Sequence, residues 1–368
     1  MMGLLEFTLL LTAAGGGPPL KPISSAEMCG RCHRAIVEAW KGSAHSRSME
    51  SRLFQDALEA AENDYGAGIR ATCLSCHAPL ASASGDMALQ QKVSWEGVTC
   101  DYCHSIREVG FDAVNPKAKI EFSLVKSGPL KDASSTAHPT LFSAVHTSSR
   151  VCAPCHEYRN PLGFPVLTTY SEWQASRFAK EGKTCQSCHM YQVAGDVVDP
   201  RIQRSRTARI NLHQMPGSRS LEQLTRTLKG RLLTSREGDR LNVSVIVTNQ
   251  AAGHYVPTGS PQRQIIMEVQ ASTDGGQNYR EERAYRRVVA DAAGVPLRQE
   301  HQAFAGGAKV LSDTRLAPDE TRTEKFVFPV PPGERARVRT TFWYYYSPMA
   351  RTESGQRITF LTLNALSP

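Results

Sequence analysis

From Leu221 onward, apolar and polar positions alternate. In Leu241-Asn-Val243-Ser-Val245-Ile-Val247 nearly every second side chain is apolar, the period of a strand with one buried face. The pattern returns over 265–271, 326–330, 337–346 and 358–363, and Thr273-Asp-Gly-Gly276 is a turn signal. Strands joined by Gly and Pro turns predict an antiparallel β-sandwich of roughly 140 residues. Upstream the alternation is missing. Apolar residues there recur at helical spacing over 35–43, 53–63 and 171–180, with long loops between them. The fold class is therefore α+β and multidomain. A mostly helical and loop domain over 20–220 is followed by the β-sandwich over 221–368. Residues 191–221, rich in Arg, Gln and Ser, are expected to form a long connection crossing the first domain.

The helical region is short on alternating strand patterns but holds all the cysteine. Its ten cysteines fall into five runs of Cys-x-x-Cys-His: Cys29/Cys32/His33, Cys73/Cys76/His77, Cys100/Cys103/His104, Cys152/Cys155/His156 and Cys185/Cys188/His189. Such a run is the attachment signature of haem c. Two thiols on one turn of backbone bond the two porphyrin vinyl groups, and the histidine becomes the proximal iron ligand. Zinc sites have no need of a histidine directly after the second cysteine. A disulfide framework suits small domains with weak cores, and a thioredoxin-like motif accounts for one pair, not five. Five covalently attached haems, each with its iron, are predicted. The runs span residues 29–189, so about 32 residues serve each haem. A domain that sparse must use porphyrin as core, and its haems should lie in or near contact.

Haem c implies export. Residues 1–19 read as a signal peptide: 4–11 is a short apolar run and Ala13-Ala14-Gly15-Gly16 offers small residues for cleavage, although no Lys or Arg precedes the run and Glu6 interrupts it. The run is far below the ~20 residues of a membrane span. A periplasmic or extracellular location without a transmembrane span is expected. The formal charge of +8 is no argument for nucleic acid, because five haems add about ten propionate charges of the opposite sign.

Beyond the five proximal residues, six histidines remain: His45, His138, His146, His213, His254 and His301. Five of them are candidates for the distal iron positions. His45 follows Trp40 and Ser43 at a helix end. His138 and His146 lie on the loop entering the fourth run. His213 lies in the connecting segment, and His254 sits in Gly253-His254-Tyr-Val-Pro257-Thr-Gly259 between two strands. His301, in a polar run, is expected to be a surface or hydrogen-bonded residue. Met190 adjoins its own proximal histidine and cannot readily reach the far face, whereas Met49 and Met215 each have a better histidine nearby. Mostly or wholly bis-histidine haems of low potential are expected. Trp40-x-x-Ser43-x-His45 also recurs as Trp173-x-x-Ser176-x-Phe178, either a chance match or a duplicated unit whose second copy lost its ligand.

Three stretches carry a resemblance: Trp40-x-x-Ser43-x-His45 after His33, Gly97-Val before Cys100, and Tyr170-Ser-Glu-Trp173 before the fifth run. Over about residues 27–215 the chain resembles multihaem cytochromes related to cytochrome c-554. Gly253–Gly259 and Asp313-Thr-Arg-Leu-Ala-Pro318-Asp-Glu320 resemble the β-domain attached to many of them. The resemblance implies electron transfer outside the cytoplasm, with His45, His146 and His213 at ligand positions. A carrier between redox-partner proteins, with no assigned catalytic residue, is the leading expectation. One alternative is a reductase or oxidase of a small nitrogen or sulfur compound with one open haem. Another is a subunit that self-assembles into a conductive filament.

Overall fold

Every Cys-x-x-Cys-His run forms or closes a helical turn. The computed structural model describes residues 23–203, 208–347, 349 and 356–367, so the predicted signal segment lies outside the described residues. Cys29 sits on helix Ala26–Gly30, and the second run ends helix Ile69–His77. The third and fifth runs are themselves helices, Cys100–His104 and Cys185–His189, each preceded by a threonine in extended conformation. The fourth passes through a 3₁₀ turn into Ala153–His156. Thiols three positions apart on such turns share a face, the arrangement thioether attachment requires.

Helices Arg34–Lys41 and Arg52–Tyr65 match the predicted periodicity. The predicted helix over 171–180 is instead two, Thr169–Ala175 and Arg177–Lys180. They are separated by Ser176, which is extended and whose Oγ donates to the Trp173 carbonyl at 2.7 Å. A serine offers the backbone this local alternative to helix. The apolar clusters of this half are small. One holds Met49, Leu74, Ala78, Ala81 and Leu89, and another Leu80, Tyr102, Ile106 and Val109. They surround a cavity of about 1910 Å³.

The connecting stretch is less loop-like than predicted. It contains the antiparallel pair Gln192–Ala194 and Arg209–Asn211, and it crosses the first run, where Asp199 N–H donates to the Cys32 carbonyl at 2.7 Å.

Beyond helix Leu221–Thr227 the predicted strands form two antiparallel sheets. One has three strands in the order Thr321–Pro329, Arg240–Asn249, Leu228–Glu237. The other has four, in the order Asn278–Tyr285, Arg263–Thr273, Ala336–Tyr346, Gln356–Leu366. Side chains of both sheets, among them Leu241, Val245, Met267, Phe326 and Phe342, share one hydrophobic cluster. Two strands escaped the alternation rule for physical reasons. Leu228–Glu237 offers only Leu228 and Leu232 as large apolar side chains to its inner face, and Asn278–Tyr285 is a charged edge strand. A ribbon of Arg287–Ala290 and Lys309–Asp313 carries helix Glu300–Gly306 between its strands. That helix packs on Arg52–Tyr65 of the first half, where His301 Nε2 lies 2.7 Å from Asp64 Oδ2. No helix among the described residues is long and apolar enough to cross a membrane.

Candidate haem-binding site

The central cavity is lined by all ten cysteines and all eleven histidines. The cysteines lie next to one another across runs. Cys29 and Cys100, Cys76 and Cys155, and Cys152 and Cys185 are close enough for each thiol to act on the other. The runs are therefore linked as first to third, second to fourth and fourth to fifth. Cys103 adds the connection from the third to the fourth, lying close enough to Cys152 and Cys155 to act on both.

Imidazoles oppose one another across this space. The ring centres of His33 and His138 are 6.2 Å apart, those of His45 and His156 6.3 Å, and those of His189 and His254 6.4 Å. Two metal–nitrogen bonds of about 2 Å each, plus the half-widths of two rings, fill such a gap. Hydrogen bonds set which nitrogen faces it. Nδ1 meets a backbone carbonyl in His33 (Val197, 2.6 Å), His104 (Ser127, 2.6 Å) and His189 (Pro216, 2.6 Å). The same holds for His213 (Asn211, 2.6 Å) and His254 (Tyr255, 2.9 Å). A carbonyl at Nδ1 fixes the proton there and leaves Nε2 as a lone-pair donor, the usual outer support of a metal-bound imidazole. Burial, above every other cause, holds His77, His146 and His213 down to about 4 and His156 to about 3. All four are neutral at physiological pH, the protonation state a metal requires.

His104 has two imidazole neighbours. His146 stacks on it, with ring centres 5.7 Å apart and planes at 11°, but its Nε2 is turned to the Cys103 carbonyl at 2.9 Å. His213 is electrostatically close to His104 and then to His33, and its Nδ1, not its Nε2, meets the Asn211 carbonyl. His77 differs from the other four proximal residues. Its ring is stacked by Phe54, with centres 3.8 Å apart, and no imidazole opposes it among the described ring contacts. His301, expected to be a surface or hydrogen-bonded residue, is hydrogen-bonded to Asp64 and, at 5% exposure, is not at the surface; it lines the cavity with Nδ1 unpartnered. The apolar spacing of its helix was too short to show that burial.

The second half of the chain supplies one wall. Glu172 accepts from Tyr255 N–H at 3.1 Å, from the Thr258 hydroxyl at 2.7 Å and from Arg315 Nη1 at 2.7 Å. Asp313 takes the other side of the same guanidinium. This buried network ties the loop bearing His254 to helix Thr169–Ala175. Sequence reasoning missed Glu172 and Arg315, because partners 143 positions apart leave no local signal.

Paired imidazoles beside adjacent cysteine pairs fit haem c, and among the described residues no group of three or more His, Cys, Asp or Glu is placed to hold a bare metal ion. The site is similar to that of multihaem c-type cytochromes. Residues 28–105 match the family model of cytochrome c554 and c-prime. Over 89 residues the chain is 28% identical to cytochrome c-554 of Nitrosomonas europaea, a match covering 23% of this chain and 38% of that protein. A penta-heme cytochrome c552 from Thermochromatium tepidum has the same fold. It superposes with a TM-score of 0.73 at 21% identity, over 95% of this chain and all of the other.

Proposed function

We propose that the protein carries five covalently bound haems c and passes electrons through them between redox-partner proteins outside the cytoplasm. Each Cys-x-x-Cys-His run holds one porphyrin by its thiols and one iron by its histidine. The opposed imidazoles carry the reading. They assign His138 to the first haem, His45 to the fourth and His254 to the fifth. His213 is assigned to the third, leaving His146 to brace the Cys103 carbonyl behind it. Residues 20–220 make up the haem domain and 221–368 a two-layer β-sandwich that contributes His254, after a leader over 1–19. Because the fourth run adjoins the second, the fifth and the third, its haem is the junction through which electrons entering at any edge spread. Haem supplies the redox chemistry. The protein sets each potential through its ligands, the hydrogen bonds to them and their burial.

Mass spectrometry of the purified protein, together with haem quantitation, tests the count: five haems per chain are expected, and four or fewer would refute the reading. Electron paramagnetic resonance tests the pairing. Low-spin bis-imidazole signals should account for most of the iron, and a largely high-spin spectrum would sink the assignments.

A further inference from the structure

The outer face of the three-stranded sheet is cationic, and its charges are unmatched. More and less buried positions alternate along Leu228–Glu237, Arg240–Asn249 and Thr321–Pro329, so every second residue points away from the core. The register then fixes which outward side chains are neighbours. Leu233 and Lys325 flank Ser244, with Val327 one rung further on and Arg231 one rung back. Lys229 stands beyond Arg231, and Arg240 lies at the opposite end. The face spans about 27 Å along the strands and about 10 Å across them. Among the described residues none of these four cations enters an ion pair, and Glu237, beside Arg240, is the sole acidic residue on the face. An ordinary solvated face mixes its signs. Strand Asn278–Tyr285 does so, pairing Arg280 with Glu268 and Glu282, and Arg283 with Glu281.

We infer that this sheet face docks on a membrane surface rich in anionic phospholipid. The four cations meet headgroup phosphates, and Leu233 and Val327, 43% and 49% exposed, insert between the headgroups. Such binding grows with apolar area buried and with attraction to anionic lipid. An acidic protein is the rival occupant. Protein interfaces are anchored by aromatic residues and arginine. This face carries no aromatic side chain, and Leu, Val, Ser and Thr, which make poor anchors, fill most of its uncharged positions. Phosphates on a fluid surface need no fixed register, which suits cations spread along its whole length. The inference goes beyond the electron-transfer reading and does not depend on which histidine serves which haem.

Co-sedimentation of the haem-loaded protein with vesicles tests it. The protein should pellet at low salt with vesicles of phosphatidylglycerol and phosphatidylcholine in about equal parts. It should stay in solution with phosphatidylcholine alone, and be released at about 0.5 M salt. In the variant Lys229→Gln, Arg231→Gln, Lys325→Gln, partitioning should fall about a hundredfold, at roughly fivefold per cation near an anionic surface. Arg335→Gln, Arg337→Gln, Arg339→Gln, which removes three exposed arginines on and beside strand Ala336–Tyr346, should leave it nearly unchanged. Equal losses in both variants would overturn the assignment to this face. Leu233→Ser with Val327→Ser should lower partitioning several-fold, and no loss would overturn the insertion. If a variant does not accumulate, the wild-type comparison still decides. No binding to the anionic vesicles overturns the docking, and retention on polyglutamate without vesicle binding replaces lipid by an acidic protein. Either failure leaves the carrier reading intact.

Discussion

Gly97 shows how much a single backbone position does in this molecule. Its φ is +70°, and a Cβ there would meet the His45 carbonyl at 2.4 Å and Ser48 Oγ at 2.5 Å. The next residue, Val98, donates its N–H to that same carbonyl at 3.0 Å and accepts from Trp40 Nε1 at 2.9 Å. The turn at 97–98 is thus the seat on which His45 rests. Gly97→Ala should destabilise by more than about 1 kcal/mol and, with His45 as the proposed ligand of the fourth haem, displace it, which a new high-spin ferric signal would report. His45→Met tests the ligand itself: replacing imidazole by thioether should raise the potential of one haem, visible as a single displaced wave in a spectroelectrochemical titration. At this scale the sequence was informative wherever chemistry is local. The five runs could be read directly, and the cavity gathers their histidines together with His45. The partners of His104 could not, because two imidazoles near one ring are separated only by where their second nitrogens point. The role of His301 was hidden by its polar neighbours.

Among the elements, strands were easier to foresee than helices. Strand Arg240–Asn249 alternates buried and accessible positions along its length, so its inner face was visible in the residue order. Leu241→Ala removes a side chain with no exposure from the cluster shared by both sheets. It should cost about 2–5 kcal/mol, measured as a lower denaturant midpoint for the sheet region while the haem bands persist. The helical half lacks such a pattern because its cavity is meant for porphyrin, which the residue sequence does not contain. Helix boundaries there follow capping groups and the needs of thiol placement. Ser176 illustrates this. The apolar period runs straight through it, yet the chain breaks to place Phe178 in the core, 7% exposed. The recurrence of Trp-x-x-Ser is therefore more than composition. Trp173 Nε1 donates to the Lys183 carbonyl at 2.9 Å much as Trp40 does to Val98, and Phe178 stands where the first copy has His45.

Across the whole molecule, the two halves are joined by charge. Arg315 is gripped by Glu172 from the helical half and by Asp313 from its own ribbon. Asp313 is partly buried, which raises its pKa, but hydrogen bonding and attraction from Arg315 prevail and hold it below the ordinary carboxylate range. A depressed folded pKa means that this stabilisation is complete above the unfolded value of about 3.9 and fades as pH falls through the folded one. The grip of Asp313 on Arg315 should accordingly hold from neutrality to about pH 4 and loosen below it. Limited acid proteolysis would then cut the ribbon around Arg315 faster at pH 3 than at pH 6, and equal resistance at both would contradict this. Substituting Glu172→Gln should weaken the same junction at every pH, with the fifth haem the first to lose its low-spin signal.

Gly253 lies against this junction, and its consequence concerns time. A Cβ on Gly253 would stand 3.1 Å from Phe178 Cβ and 3.2 Å from Trp173 Cδ1, so the loop carrying His254 docks directly on the second Trp-x-x-Ser unit. The first copy carries its own imidazole and has it as soon as residue 45 is made. The second must wait for one that arrives 65 residues after the fifth run ends, on strands whose neighbours extend to residue 366. Chains are synthesised and fold from the N-terminus, so the fifth haem would be the last to reach its final coordination. Its spectrum would act as a built-in report that the sheet reaching residue 366 has folded.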